Sequence, residues 1–203
     1  MIKDSTLPES WVCHLRYDPR LKIEECRGVY PPGDDTLLLL DSLEVDRGEE
    51  ILEMGCGSGI VGIHCAAAGA RATVVDINPA AVECAMENAR RNGLEISGIV
   101  SDLFSRITGT FDQIVFNPPY LPVDEKDPLA LTWSGGKGGI EVLEGFLREA
   151  PGFLKSGGRM TVIVSSRMDG NPLRTLISRF EAETLTRKRL FFEELEVLSL
   201  RVP

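Results

Sequence analysis

Short apolar runs alternate with longer helix-like stretches along most of this 203-residue chain. At the front, Val12 to Tyr17 and Leu21 to Cys26 flank an Asp18-Pro19-Arg20 turn and predict a small hairpin. The leucine-rich stretch Leu37 to Leu43 predicts a helix that Asp34 or Asp35 can cap. Glu50 to Met54 reads as a strand, the glycine loop 55–59 leads into a helix to about Ala68, and Arg71 to Asp76 reads as a second strand. Asn78-Pro79 combines an N-cap with proline at the first helical position, opening a helix to about Asn92. Strands follow near 96–101 and 112–116. After Tyr120 comes a loop holding Trp133 to Gly139, then a helix near 140–153 and a strand from Met160 to Ser165. A helix near 172–181 precedes two strands, 184–192 and 195–202, whose short connection demands antiparallel pairing. Alternating β and α elements predict an α/β fold, a mostly parallel sheet with helices on both faces and a C-terminal antiparallel hairpin. Residues 1–203 read as one domain.

The densest chemistry lies at Asn117-Pro118-Pro119-Tyr120, where the apolar run Gln113 to Phe116 ends. Strand ends are where open α/β sheets place their chemistry. Asn117 offers an amide oxygen as acceptor, and Pro118 offers a carbonyl with no competing N–H. Two convergent acceptors suit a planar –NH2 group, against which Tyr120 can lay an aromatic face. The tetrad therefore reads as a clamp for an amide or an aromatic amine. Read alone, it could equally be Pro-Pro ending a strand with Tyr120 packed nearby. The glycine loop upstream decides between the two.

Glu53-Met54-Gly55-Cys56-Gly57-Ser58-Gly59 joins a strand to a helix, and its glycines allow a ligand to approach the backbone closely. A dinucleotide pyrophosphate would sit at that helix N-terminus, but Glu53 at its lip repels an anion. A cationic, phosphate-free ligand fits better, and S-adenosylmethionine carries both an ammonium and a sulfonium. Asp76 ends the second strand, 21 residues after Gly55, where an acid can bind both ribose hydroxyls. Asp102 closes the third strand in Ser101-Asp102-Leu103-Phe104, placed for the adenine amino group with Leu103 against the ring. Each aspartate alone could be a cap or a turn residue; at successive strand ends they form a pattern.

Composition narrows the partners. Lys plus Arg number 22 against 31 for Asp plus Glu, a net charge of −9. Arg187-Lys188-Arg189 and Arg90-Arg91 are the dense basic spots, each read as a solvated face, so unaided nucleic-acid binding is disfavoured. Five cysteines (13, 26, 56, 65 and 84) form no C-x-x-C and are read as thiols, with neither a disulfide frame nor a metal site expected. His64 reads as structural. With no secretory leader pattern and no apolar run of membrane-spanning length, the expected location is the cytoplasm.

These motifs together resemble class I S-adenosylmethionine-dependent methyltransferases, and more narrowly the HemK/PrmC-like protein-glutamine N5-methyltransferases. Val29-Tyr30-Pro31-Pro32-Gly33-Asp34-Asp35-Thr36 is similar to the family's upstream motif, in which the threonine position, here Thr36, lines the cofactor pocket. Glu53 to Gly59 (with Gly55, Cys56 and Gly57), Asp76-Ile77-Asn78, Asp102-Leu103 and Asn117 to Tyr120 match its cofactor and amide-binding motifs. Thr132-Trp133-Ser134-Gly135-Gly136 looks like the loop of the one-domain archaeal and eukaryotic branch. The resemblance covers 29–203 and leaves 1–28 as an extension. It implies a Rossmann-like fold, S-adenosylmethionine as cofactor and no metal in the site. The implied substrate is the glutamine of the Gly-Gly-Gln motif in a class I translation termination (peptide chain release) factor, and a small zinc-binding activator subunit is an implied partner. Two departures stand out: the helical N-terminal domain of bacterial release-factor enzymes has no counterpart in residues 1–28, and Gly138 occupies a position where relatives often have Asp. The competing assignment is N-methylation of an exocyclic amine of adenine or guanine, since a flipped base fits the same clamp.

Overall fold

The structure is a computed structural model that describes residues 12–121 and 135–203. Its centre is a seven-stranded sheet built from β3 (Glu50–Met54), β4 (Arg71–Asp76), β5 (Ser97–Val100), β6 (Phe111–Phe116), β7 (Leu154–Ser165), β8 (Glu181–Arg189) and β9 (Glu194–Arg201). They lie in the order β5-β4-β3-β6-β7-β9-β8. The first five are parallel, while β9 runs antiparallel between β7 and β8. This is the mostly parallel sheet with a terminal hairpin that the alternating pattern predicts. The chain moves outward from β3 through β4 to β5, then returns to the other side of β3 as β6. That reversal opens a crevice at the carboxyl ends of β3, β4 and β6.

Two-residue periodicity sorts the strand side chains between two cores. Leu52, Ile114 and Val162 join one buried cluster, where Leu143 and Phe146 of α4 (Glu141–Glu149) and Leu176 of α5 (Gly170–Ile177) cover the sheet. Their sequence neighbours Ile51, Val115 and Ile163 join the opposite cluster. There they meet Leu39 and Leu40 of α1 (Asp34–Leu40) and Ile60, Val61 and Cys65 of α2 (Ile60–Ala67). Val82 and Ala85 of α3 (Pro79–Arg91) pack on Val74 and Cys56. Asn78 caps α3 as predicted, its side chain accepting from the Ala80 N–H at 3.0 Å.

Four sequence expectations are corrected. β1 (Val12–His14) pairs with β2 (Glu44–Asp46) rather than with residues 21–26. The reason is the turn: Asp18 Oδ1 accepts both the Arg20 backbone N–H and its side-chain Nε at 2.9 Å, while the Asp18 N–H donates to His64 Nε2 at 3.0 Å. This sends the following segment across α3 as an extended strap. There Asn88 and Asn92, one helical turn apart, bind Glu24 and Lys22 respectively, each amide accepting a backbone N–H and donating to the same residue's carbonyl at 2.8–3.1 Å. The four-residue helical step and the two-residue extended step are close in length, roughly 6 Å against 6.6 Å, so the pairings keep register. They continue to Cys26 and Cys84, which form a disulfide with Cα atoms 6.1 Å apart. The thiol expectation therefore fails for this pair: an odd, scattered cysteine count says nothing about which two positions a strap and a helix bring together. Cys13, Cys56 and Cys65 are free.

The other two corrections are local. Gly33, not an aspartate, is the N-cap of α1, because Asp34 turns outward to Lys188 at 3.1 Å and Asp35 turns inward. The helix expected over 140–153 ends as α4 at Glu149, and Pro151 lies in a 3-10 turn spanning Ala150–Phe153.

Candidate active site

One cavity of about 600 Å3 opens in the crevice where the chain reverses. Its wall includes Thr36, Glu53, Gly55, Cys56, Gly57, Asp76, Ile77, Asp102, Leu103 and the whole tetrad Asn117 to Tyr120, so the predicted residues converge. Gly59 is the exception. Its φ of +77° allows the chain to enter α2, and a Cβ there would lie 2.5 Å from that of Ala85, so its role is close approach of α2 to α3. Thr132, Trp133 and Ser134 lie outside the described residues. Gly135 is described, and its N–H donates to Leu121 O at 2.9 Å, beside the tetrad.

Electrostatics distinguish this cavity. Asp35, Glu53, Asp76 and Asp102 line it, and among the described residues no Lys, Arg or His does. Glu53 is only 5 % exposed, and Oε2 accepts the Gly62 N–H at 2.8 Å, satisfying one of the free amides of the first turn of α2. Burial raises its pKa to about 8, against the lowering effect of those amide bonds, with the negative Asp76 nearby adding to the rise. Asp76 is likewise shifted upward by burial, opposed by amide bonds. Its Oδ2 accepts from Gly57 N at 3.1 Å and its Oδ1 from Asn78 N at 2.9 Å, so the acid also holds the glycine loop in shape. Leu103 is the one described non-glycine residue with positive φ, +43°. Ser101 Oγ stabilises it, donating to Leu103 O at 2.9 Å and accepting the Arg106 N–H at 3.1 Å.

The tetrad is oriented by residues the sequence reading treated only as a cap or a pocket wall. Asn117 Nδ2 donates to Thr36 Oγ1 at 3.2 Å, and Thr36 Oγ1 donates to Asp35 Oδ1 at 3.3 Å. Tyr120 reaches the other oxygen, its hydroxyl donating to Asp35 Oδ2 at 3.4 Å. Burial, then the negative charges of Asp35 and Glu193, push the Tyr120 phenol well above its ordinary pKa, so it remains a neutral donor. Among the described residues, two buried side-chain polar atoms have no hydrogen-bond partner: Asn117 Oδ1 and Ser58 Oγ. Both residues line this cavity. An unpaired buried polar atom is costly, so these two atoms are the unsatisfied positions of the cavity wall. Asp35 was visible to sequence only as a candidate helix cap beside Thr36; Ser58 and Ser101 carried no signal of their own.

The wall suits a cation better than a phosphate. Among the described residues it offers four acidic side chains, an approachable glycine loop and no basic side chain. Comparison with known proteins agrees. The methyltransferase small domain family matches residues 31–192. The chain belongs to that family. It is a methyltransferase, and its cofactor is S-adenosylmethionine.

Among its relatives, a protein from Methanocaldococcus jannaschii named as a protein N5-glutamine methyltransferase is 43% identical over 180 residues, covering 84% of this chain and 90% of the relative. The mouse (Mus musculus) methyltransferase HEMK2 is 40% identical over 148 residues, 65% of this chain and 69% of that one. In structure, a chain of the E. cuniculi Mtq2–Trm112 complex, described as responsible for methylating the eRF1 translation termination factor, superposes with a TM-score of 0.67. That match covers 87% of this chain and 99% of the other at 21% identity, which speaks for a shared fold. The HemK/PrmC-like resemblance is thereby supported. No helix among the described residues is long and apolar enough to cross a membrane.

Proposed function

We propose that this methyltransferase modifies the side-chain amide of a protein glutamine, in the Gly-Gly-Gln motif of a class I translation termination factor. One observation carries the reading: Asn117 holds its amide by Nδ2 and leaves Oδ1 buried and unpaired at the end of β6. A carboxamide –NH2 brings two donors, one for Asn117 Oδ1 and one for the Pro118 carbonyl. The names of the relatives from M. jannaschii and E. cuniculi favour a protein amide over a nucleobase amine.

An amide nitrogen is a weak nucleophile because its lone pair is delocalised into the carbonyl. Fixing both N–H bonds aims the nitrogen at an electrophile held over the glycine loop, and such alignment lowers barriers by up to about 7–11 kcal/mol. The cofactor supplies the activated methyl group when bound. The nitrogen would accept that methyl group by in-line displacement, with the cofactor's sulfur as the leaving atom. Oxygens of Asn117 and Pro118 stabilise the positive charge gained by the nitrogen, and the surplus proton leaves to water. Glu53, Asp76 and Asp102 are the residues that would hold the ammonium, the ribose and the adenine amino group.

A small activator subunit belongs to the same proposal, because the structural neighbour was solved as a two-protein complex. The decisive experiment incubates the enzyme with labelled cofactor and a panel of termination factor, ribosomal proteins and RNA, then locates the methyl group by mass spectrometry. Label on a glutamine amide is the expected result; label on an RNA base would overturn it.

A further inference from the structure

The β8–β9 hairpin ends in two residues that neither the fold nor the cavity uses. Leu190 N–H donates to Glu193 O at 2.8 Å and Arg189 stands opposite Glu194, so Phe191-Phe192 make a two-residue loop. Loops of that length favour Asn-Gly or Gly-containing pairs with positive φ, and neither phenylalanine has positive φ. The rings are 92% and 81% exposed and touch each other edge to face, centroids 4.6 Å apart. Next among the exposed large hydrophobics is Ile77, at 57%. Turn chemistry does not ask for two aromatic rings in water, and no core packs on them. A local rule broken on the surface points to a binding role.

The tip lies along the sheet edge at which the cavity opens. β9 starts beside the carboxyl end of β7, Leu195 opposite Ser165, on the sheet edge where β3, β4 and β6 also end. Ser165 Oγ donates to Glu193 Oε2 at 2.6 Å, and Leu190 packs on the cluster that holds Leu39, a cavity-wall residue. Lys188 ties β8 to Asp34, in the first turn of the helix that carries Asp35 and Thr36.

We infer that Phe191 and Phe192 are the docking point for the polypeptide that carries the accepting amide, and that they grip an apolar side chain flanking the methylated residue. This rests on the protein-amide reading above. An amide seated against Asn117 belongs to a residue whose backbone must run out along the carboxyl edge of the sheet, and the two rings lie on that edge. Aromatic anchors of this kind dominate the energetics of protein interfaces. A nucleic-acid strand fits poorly there. Lys188 and Arg187 are already paired with Asp34 and Glu196 and Arg189 stands opposite Glu194, while Glu193 and Asp102 add negative charge.

The test uses the full chain, its activator if one is required, and the protein that accepts label in the panel above. The double variant Phe191→Ser/Phe192→Ser is compared with wild type and with Phe191→Leu/Phe192→Leu. KM for the intact acceptor should rise about tenfold or more in the serine pair, with kcat and cofactor Kd unchanged, and the leucine pair should recover most of the loss. A KM within about twofold of wild type would overturn the docking point alone, as would a loss seated in kcat or in cofactor affinity. If only RNA, or nothing, accepts the methyl group, the amide reading falls and the docking point with it.

Discussion

Asn117 donates through Nδ2 to Thr36 Oγ1 at 3.2 Å, and that single bond leaves Oδ1 as the unpaired end of the amide. Because Thr36 in turn donates to Asp35, its oxygen has a lone pair left for Asn117 and no hydrogen to offer it. The Asn117 oxygen is thereby the end of the amide left without a partner. Replacing Thr36 with valine should lower kcat by about tenfold to a hundredfold while the cofactor still binds. Asn117→Ala should remove activity with cofactor affinity nearly intact. Single-turnover rates and calorimetric titration separate the two effects, and equal loss of both would contradict the assignment.

Glu53 predicts a pH dependence with a definite sign. Its carboxyl titrates at about 8 in the fold, above its ordinary 4.5, because it is buried. The protonated form therefore favours the folded state: this contribution is fully present below about 4.5 and is lost as pH rises through about 8. A cationic ligand needs the carboxylate, so cofactor affinity should climb over the same interval. In Glu53→Gln both slopes flatten. Thermal melts and titrations between pH 5 and 9 in wild type and variant check this; parallel curves would refute it.

Asp76 should govern cofactor binding before chemistry. Its alanine variant loses the expected ribose partner and frees the Gly57 and Asn78 amides it now holds. Bonds to a charged acceptor are worth about 1.5–3 kcal/mol, so Kd should weaken at least tenfold. At saturating cofactor, kcat should return toward wild type. A kcat loss that saturation does not rescue would count against this role.

The Cys26–Cys84 disulfide closes a span of 58 residues. Loop-closure entropy for that span corresponds to about 4 kcal/mol. Reduction, or the Cys26→Ser/Cys84→Ser pair, should lower unfolding free energy by about 2–4 kcal/mol in urea titrations. It should also weaken cofactor binding, because Gly28 and Tyr30, a few residues beyond Cys26, line the cavity and Gly28 O accepts from Asn78 Nδ2 at 2.9 Å. Identical midpoints with and without reductant would sink the prediction.

Sequence made the centre of the sheet legible because β3, β4 and β6 are short apolar runs ended by a glycine, an acid and the tetrad respectively. The cavity was legible for the same reason: a parallel sheet delivers Glu53, Asp76, Asp102 and Asn117 to one edge. Position along the chain could not reveal the strap, since residues 21–26 spend their backbone bonds on the asparagines of α3, which carry no strand signature. Asp35 stayed hidden because its role is set by Tyr120, 85 residues away. The phenylalanine tip sat inside what read as an ordinary strand end.

The placement of β9 between β7 and β8 has a consequence for biogenesis. Every described residue lining the cavity lies between Gly28 and Val142, whereas β8 emerges from the ribosome before its one neighbour in the sheet exists. A nascent chain therefore holds every described cavity-lining residue before β9 is made, yet Leu39 of the cavity wall completes its core only when Leu195 and Val197 of β9 arrive.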